Sequence, residues 1–109
     1  MKFELSCDRS GKHFFRLVDE FGKVLLLSEG FEQKASALNG IETLKTSRIR
    51  KENIELKTST SGLYYINLKS GNGQVIGTST MFKTPEFRSH LMRRLNAEVS
   101  QSEVIDYAY

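Results

Sequence analysis

Apolar and polar positions alternate along the first part of the chain. Phe3, Leu5 and Cys7 alternate with Glu4 and Ser6, and His13, Phe15 and Leu17 alternate with Phe14, Arg16 and Val18. A period of two predicts two half-buried strands. Asp8-Arg9-Ser10-Gly11 between them is turn chemistry, with Gly11 available for positive φ. After the Glu20-Phe21-Gly22 turn, Lys23 to Ser28 forms a third strand, whose continuous run Val24-Leu25-Leu26-Leu27 predicts contact on both faces. The turns are short, so the three strands are expected to form an antiparallel meander. The period then lengthens: Ala35, Leu38, Ile41 and Leu44 recur about every three residues and predict a helix with one buried stripe. Gly40 inside that helix costs about 1 kcal/mol relative to Ala, which predicts close packing of the helix against the sheet.

A polar, basic connector with Arg48, Arg50 and Lys51 precedes a second round of the same elements. Strands are expected at Ile54-Glu55-Leu56, at Tyr64 to Lys69 and at Val75 to Ser79, with turns at Ser61-Gly62 and Gly71-Asn72-Gly73. Thr84-Pro85-Glu86 reads as a helix start, with Thr at the N-cap and Pro at the first helical position. Phe87, Leu91 and Leu95 mark its predicted buried stripe, and Val104 to Tyr107 reads as a closing strand.

The two rounds superpose without a gap. A shift of 51 residues (62 − 11) carries Gly11 onto Gly62, Leu17 onto Leu68, Gly22 onto Gly73, Ser28 onto Ser79, Phe31 onto Phe82 and Leu44 onto Leu95. It also carries Phe3-Glu4-Leu5 onto Ile54-Glu55-Leu56 and that onto Ile105-Asp106-Tyr107. A unit of about fifty residues buries little surface alone. The prediction is therefore a single α+β domain of two β-β-β-α-β repeats, about residues 1–52 and 53–109. The repeats would share one antiparallel sheet, with both helices packed on one face and pseudo-twofold symmetry. The strand near Ile54 is expected to stitch the halves together.

These residues carry a resemblance. Gly22-Lys23-Val24-Leu25-Leu26-Leu27-Ser28-Glu29-Gly30-Phe31, then Lys34-Ala35-Ser36-Ala37 and Asn39-Gly40-Ile41-Glu42, resemble the YegP-like family of small bacterial and archaeal proteins. Asn72-Gly73-Gln74-Val75-Ile76-Gly77-Thr78-Ser79 is similar to its second copy; Thr80-Met81 and Ser89-His90-Leu91 depart from the pattern. The resemblance implies a repeated unit in one sheet with exchanged terminal strands. It implies no established activity, so it brings no functional residues with it.

Composition narrows the function classes. With 39% hydrophobic and 27% charged residues, the 109-residue chain is expected to bury a core. Sixteen Lys and Arg against thirteen Asp and Glu leave a net charge of +3, too small an excess to mark a dedicated nucleic-acid binder. One cysteine forms no internal disulfide, and one cysteine with two histidines builds no metal framework. The N-terminal residues lack the pattern of a signal peptide, and the longest apolar run has the length of Val24 to Leu27. A cytoplasmic location, no cofactor and no membrane contact are the expectations.

Several constellations are candidates for chemistry. Cys7 and His13 flank the first turn as a possible thiolate–imidazole pair, without an evident orienting group. His90 sits among Arg88, Arg93 and Arg94 as a candidate titrating switch. Glu4, Glu55 and Asp106 are repeat-related acids. Ser10-Gly11-Lys12 resembles a fragment of a phosphate loop but lies between two strands. Each has a plain structural explanation, and no catalytic residues are assigned. The candidate interaction face is the sheet surface away from the helices, with Phe14, Arg16, Tyr65, Asn67 and Lys69 pointing outward. The expected function is a non-enzymatic protein-interaction or self-associating module using that face or an edge strand. The alternative is single-stranded nucleic-acid binding through Phe14, Tyr65, Arg16 and Lys69, helped by Arg48, Arg50 and Lys51.

Overall fold

The computed structural model describes residues 1–46 and 51–108. Its elements are β1 (Lys2–Cys7), β2 (His13–Val18), β3 (Val24–Ser28), α1 (Lys34–Thr46), β4 (Ile54–Thr58), β5 (Tyr64–Lys69), β6 (Val75–Ser79), α2 (Pro85–Glu98) and β7 (Glu103–Asp106). Single 3-10 turns at Lys51–Asn53 and Val99–Gln101 lead into β4 and β7. All seven strands join one sheet in the order β4-β5-β6-β3-β2-β1-β7.

Each meander closes the same way. Gly11, Gly22, Gly62 and Gly73 all adopt φ between 81° and 87°, the left-handed region that a side chain disfavours. Each donates its N–H to the carbonyl three residues back, on Asp8, Asp19, Ser59 and Ser70. In the first unit the Asp8 carboxylate then accepts the N–H groups of Ser10 and Lys12, and Asp19 accepts those of Phe21 and Lys23. The Ser10 hydroxyl, joined by the Lys12 and Ser10 N–H groups, holds the Asp8 carboxyl below its ordinary pKa, and the Lys23 and Phe21 N–H groups do the same for Asp19. The Ser10-Gly11-Lys12 segment is thus a hairpin turn whose amides are already occupied by Asp8.

The repeated Ser and Phe have a matching role where each chain leaves the sheet for its helix. The buried Ser28 hydroxyl accepts the Phe15 N–H at 2.9 Å, and the buried Ser79 hydroxyl accepts that of Ile66 at the same distance. Phe31 then returns to exchange two backbone bonds with His13, as Phe82 does with Tyr64. A side chain replaces the missing ladder partner, and the strand ends without an orphaned buried donor.

The two halves meet at β3 and β6, which pair antiparallel through Leu26↔Ser79, Leu27↔Thr78 and Ser28↔Gly77. This places the pseudo-twofold axis between them. The strand near Ile54, expected to stitch the halves together, instead lies at the outer edge of the second half. The helices perform the exchange: α1 carries the chain from β3 past the second half to β4, and α2 carries it from β6 to β7 beside β1. The sheet is antiparallel, as expected, except that β7 joins β1 in parallel. A strand reached through a helical crossover can enter in that sense.

The core lies between the sheet and the helices. Phe3, Leu5, Phe15, Leu17, Leu26, Ile66 and Leu68 meet Ile41, Leu44, Leu91, Leu95 and Val99. The Phe15 ring lies edge-on to Phe3 and stacks on Phe31. The buried stripe of α1 differs from the predicted one: Ala37, Gly40, Ile41 and Leu44 are buried, and Ala35 and Leu38 are exposed. The reason is the close approach that Gly40 implied. A Cβ there would stand 3.2 Å from Phe15 Cε2, so Gly40 and Ala37 share the buried stripe with Ile41 and Leu44, and Leu38 is turned out. In α2, Leu91 and Leu95 are buried as expected, but Phe87 is 61% exposed. Thr84 holds the N-cap position in extended geometry, with Pro85 following; its hydroxyl makes no capping bond.

One asymmetry follows from the topology. Leu5 and Leu56 occupy the same repeat position on β1 and β4. Leu5, covered by β7, is 0% exposed; Leu56, with no strand beyond it among the described residues, is 56% exposed.

Candidate interaction face

The register of the sheet aligns a single transverse row on its helix-free side. Glu55 pairs with Asn67, Asn67 with Thr78, Thr78 with Leu27, Leu27 with Arg16, and Arg16 with Glu4. The repeat makes the row nearly symmetric: Glu4 answers Glu55, Arg16 answers Asn67, and Leu27 answers Thr78 across the axis. The polar members satisfy one another. Asn67 Nδ2 donates to Glu55 Oε1 at 3.1 Å, and Thr78 Oγ1 donates to Asn67 Oδ1 at 2.8 Å. Lys69 Nζ lies 2.8 Å from Glu55 Oε2, and Arg16 Nε lies 2.7 Å from Glu4 Oε1. The Lys69 and Asn67 bonds keep the Glu55 carboxyl below its ordinary pKa. Leu27 stands at the centre of the row, 53% exposed and without a polar partner.

All five sequence-predicted face residues do turn away from the helices; their neighbours Phe15, Leu17, Ile66 and Leu68 fill the core. They do not form one cluster. Phe14 on β2 and Tyr65 on β5 are separated by β3 and β6, a span of about 14 Å at the usual strand spacing. The Phe14 ring rests on the backbone of Gly30, where a Cβ would stand 3.0 Å from its Cζ. The second unit has Met81 at that position, 52% exposed. Both cations proposed to meet a ligand, Arg16 and Lys69, are committed to carboxylates. Arg48 and Arg50 lie outside the described residues, as does the Lys51 side chain.

The continuous run Val24 to Leu27 predicts contact on both faces and so does not single out Leu27; the helix-free face is open there, and Leu27 is exposed. The available signal was its repeat partner: a polar Thr78 at the equivalent position marks a solvent-facing site.

Cys7 and His13 are cross-strand partners, and the exposed Cys7 Sγ donates to the Asp8 carbonyl at 3.6 Å. His13 Nδ1 is buried without a hydrogen-bond partner among the described residues. The three repeat-related acids separate because β7 enters one residue out of phase, with Ile105 opposite Glu4 and Asp106 opposite Leu5. Asp106 thereby turns to the helix side and pairs with Lys34, and that bond with the Ala108 N–H lowers its pKa. His90 is exposed on α2, and its neighbour Arg94 is tied to Glu98 and Glu20. Arg88 lies over the Tyr64 ring, 5.2 Å from its centroid, and donates to the Lys57 carbonyl. A groove of about 350 Å³ between α1 and the β5–β6 hairpin is lined by uncharged residues, the polar Asn39, Thr43, Ser70, Asn72 and Gln74 together with the apolar Phe31, Val75 and Ile76. No three His, Cys, Asp or Glu side chains converge as a metal site, and no helix is long and apolar enough to cross a membrane, among the described residues.

Comparison with known proteins agrees with this architecture. The family model described as a domain of unknown function, DUF1508, matches twice, over residues 8–54 and 59–106. The chain is 34% identical over 104 residues to the UPF0339 protein YegP of Escherichia coli K12, covering 95% of this chain and 94% of that protein. It is 32% identical, with the same coverage, to a UPF0339 protein from the ptx operon 5′ region of Stutzerimonas stutzeri. The solution structure of E. coli YegP, a protein of unknown function, superposes with a TM-score of 0.90 at 33% identity, over 98% of this chain and 92% of that one. A UPF0339 protein of Shewanella oneidensis gives 0.91 at 28% identity, over 98% and 91%.

Proposed function

From the premise that the chain belongs to the DUF1508 family, here as two tandem copies in the YegP-like arrangement, we propose that it is a non-enzymatic polypeptide-interaction module that docks a protein partner, or its own kind, on the helix-free side of its sheet. The observation that carries this reading is the transverse row itself. An exposed leucine sits at its centre, and the polar groups around it are already bonded to one another. The neutral Asn67 and Thr78 beside it keep their hydrogen-bond partners when water leaves. An apolar centre within a satisfied polar rim is the usual anatomy of a protein interface.

The nucleic-acid alternative is supported less well. Phosphate binding needs cations free to release counterions, whereas Arg16 and Lys69 already neutralise Glu4 and Glu55. Stacking of successive bases needs neighbouring aromatics, and Phe14 and Tyr65 stand three strand spacings apart. Any such binding is expected to be weak and to fall steeply with salt.

A photoreactive residue placed at Leu27, compared in living cells with one at the exposed Glu42 on α1, tests the proposal. Discrete polypeptide adducts formed preferentially at position 27 are expected. Equal labelling at the two positions, or adducts sensitive to nuclease, would count against the reading.

A further inference from the structure

Among the described residues, the sheet is unfinished on one side. The slot beside β1 is filled by β7, whose Tyr107 donates its N–H to the Leu5 carbonyl at 2.8 Å. The repeat-equivalent slot beside β4 holds no strand among the described residues. Ser59 donates to Leu63 on the β5 side. By the alternation of an antiparallel ladder, Ile54, Leu56 and Thr58 therefore turn their N–H and C=O groups to the open side. The repeat agrees, since Leu56 is the counterpart of Leu5. On the helix side of that edge, Leu56 is exposed where Leu5 is sealed. An edge with a free ladder and an exposed leucine is a template for strand addition.

We propose that the occupant is the β4 strand of a second copy of this chain, antiparallel, with Leu56 on the twofold axis. The sequence of β4, Ile54-Glu55-Leu56-Lys57-Thr58, is complementary to itself in that register. Leu56 meets Leu56 of the second copy, Ile54 meets Thr58, and Glu55 meets Lys57 on both sides of the axis. The outward-turned residues Ile54, Leu56 and Thr58 form the hydrogen-bonded pairs. Glu55 and Lys57 fall at the non-hydrogen-bonded positions, where side chains approach most closely. Within one chain Lys57 Nζ is held loosely, 4.0 Å from Glu55 Oε1, so it is free to bridge the axis. The opposite edge offers no such match: β7 carries Glu103 and Asp106 and no cation, so it has no charge pair to form with itself.

The inference extends the interaction-module reading from the sheet's face to its edge and is judged by a separate measurement. A five-residue ladder is a small interface, so the association is expected to be reversible and visible at high concentration. Sedimentation equilibrium on the full chain, from about 10 μM to about 1 mM, is expected to show the mass rising from 12.4 kDa toward twice that value. Leu56→Lys should abolish the rise while circular dichroism shows the fold retained. Lys57→Glu and Glu55→Lys, each alone, should weaken association by about tenfold or more through like-charge contacts at the axis. Mixing those two variants should restore it, because each supplies the charge the other now lacks.

A chain that stays monomeric throughout would overturn the proposal. So would a dimer indifferent to Leu56→Lys, single variants that do not recover on mixing, or growth past the dimer, which would assign the edge to β7 of the next copy. Failure of cross-linking at position 27 leaves this result untouched, so the two readings fall separately.

Discussion

Leu5→Ala and Leu56→Ala remove the same atoms from the same position of the repeat, yet the topology assigns them different costs. Leu5 is 0% exposed, packed in the core between the helices and a sheet that continues into β7. Truncating a fully buried leucine leaves a cavity and costs about 3–5 kcal/mol. Leu56 is 56% exposed, so less than half of its surface is removed from water on folding. Scaling the roughly 1.5–3 kcal/mol of full burial by that fraction leaves about 1 kcal/mol. A domain of this size has about 5–15 kcal/mol in total, so the first variant loses a large part of its stability and the second little. Urea denaturation followed by circular dichroism separates them. With a slope of about 1.5 kcal/mol per molar, the midpoint moves about 2–3 M for Leu5→Ala and less than about 1 M for Leu56→Ala. The comparison belongs at low micromolar protein, where self-association does not shelter Leu56. Midpoints shifted equally would refute the reasoning, because they would mean that β7 does not cover β1 or that the edge of β4 is not open.

Other outcomes follow from the same structure. Ser28→Ala and Ser79→Ala should each cost about 1–3 kcal/mol in urea denaturation, since each leaves a buried strand N–H, of Phe15 or Ile66, without its acceptor. Gly40→Ala should destabilise the chain by about 1 kcal/mol or more despite Ala's better helix propensity, because Phe15, wedged between Phe3 and Phe31, has no room to retreat from a Cβ at 3.2 Å. Hydrogen bonds and ion pairs lower the carboxyl pKa values of Asp8, Asp19, Glu55, Glu98 and Asp106 below their ordinary 3.8 or 4.5. Their contribution is therefore present above those ordinary values and is lost as pH falls through the lowered ones. Urea midpoints should change little from pH 8 to pH 5 on account of these groups and fall below about pH 4; a midpoint that rose on acidification would contradict this.

The sequence revealed the repeat because both copies retain the residues that local backbone geometry demands. Turn glycines at one φ, a serine that accepts a strand N–H, and a phenylalanine that bridges back to the meander are needed in each half. These are local requirements, legible by spacing. The order in which the halves join was not legible. Strand placement after a helix depends on which slot of the sheet remains open, and no residue of β4 or β7 declares it. The helix stripes were misread in part for a related reason: apolar size favoured Leu38 and Phe87, whereas the distance of closest approach selected Ala37 and Gly40. For the interaction face, alternation set Phe14, Arg16, Tyr65, Asn67 and Lys69 opposite the core residues, whereas Val18, in the same phase as Phe14 and Arg16, is buried beside a register shift. Alternation did not show that β3 and β6 come between Phe14 and Tyr65 and set Leu27 at the centre. That required the pairing of the two halves.

The account turns on a sheet that, among the described residues, is complete at β1 and incomplete at β4. Amide hydrogen exchange of Leu56, followed by NMR as the protein is concentrated, tests it most directly. The account predicts rapid exchange at Leu56 in dilute solution and protection that grows with concentration as a second copy's strand arrives, while the core amides of Phe15 and Ile66 stay slow throughout. A Leu56 amide protected even at the lowest concentration would show the edge already covered within one chain; one that exchanges rapidly at every concentration would show that no second copy fills it.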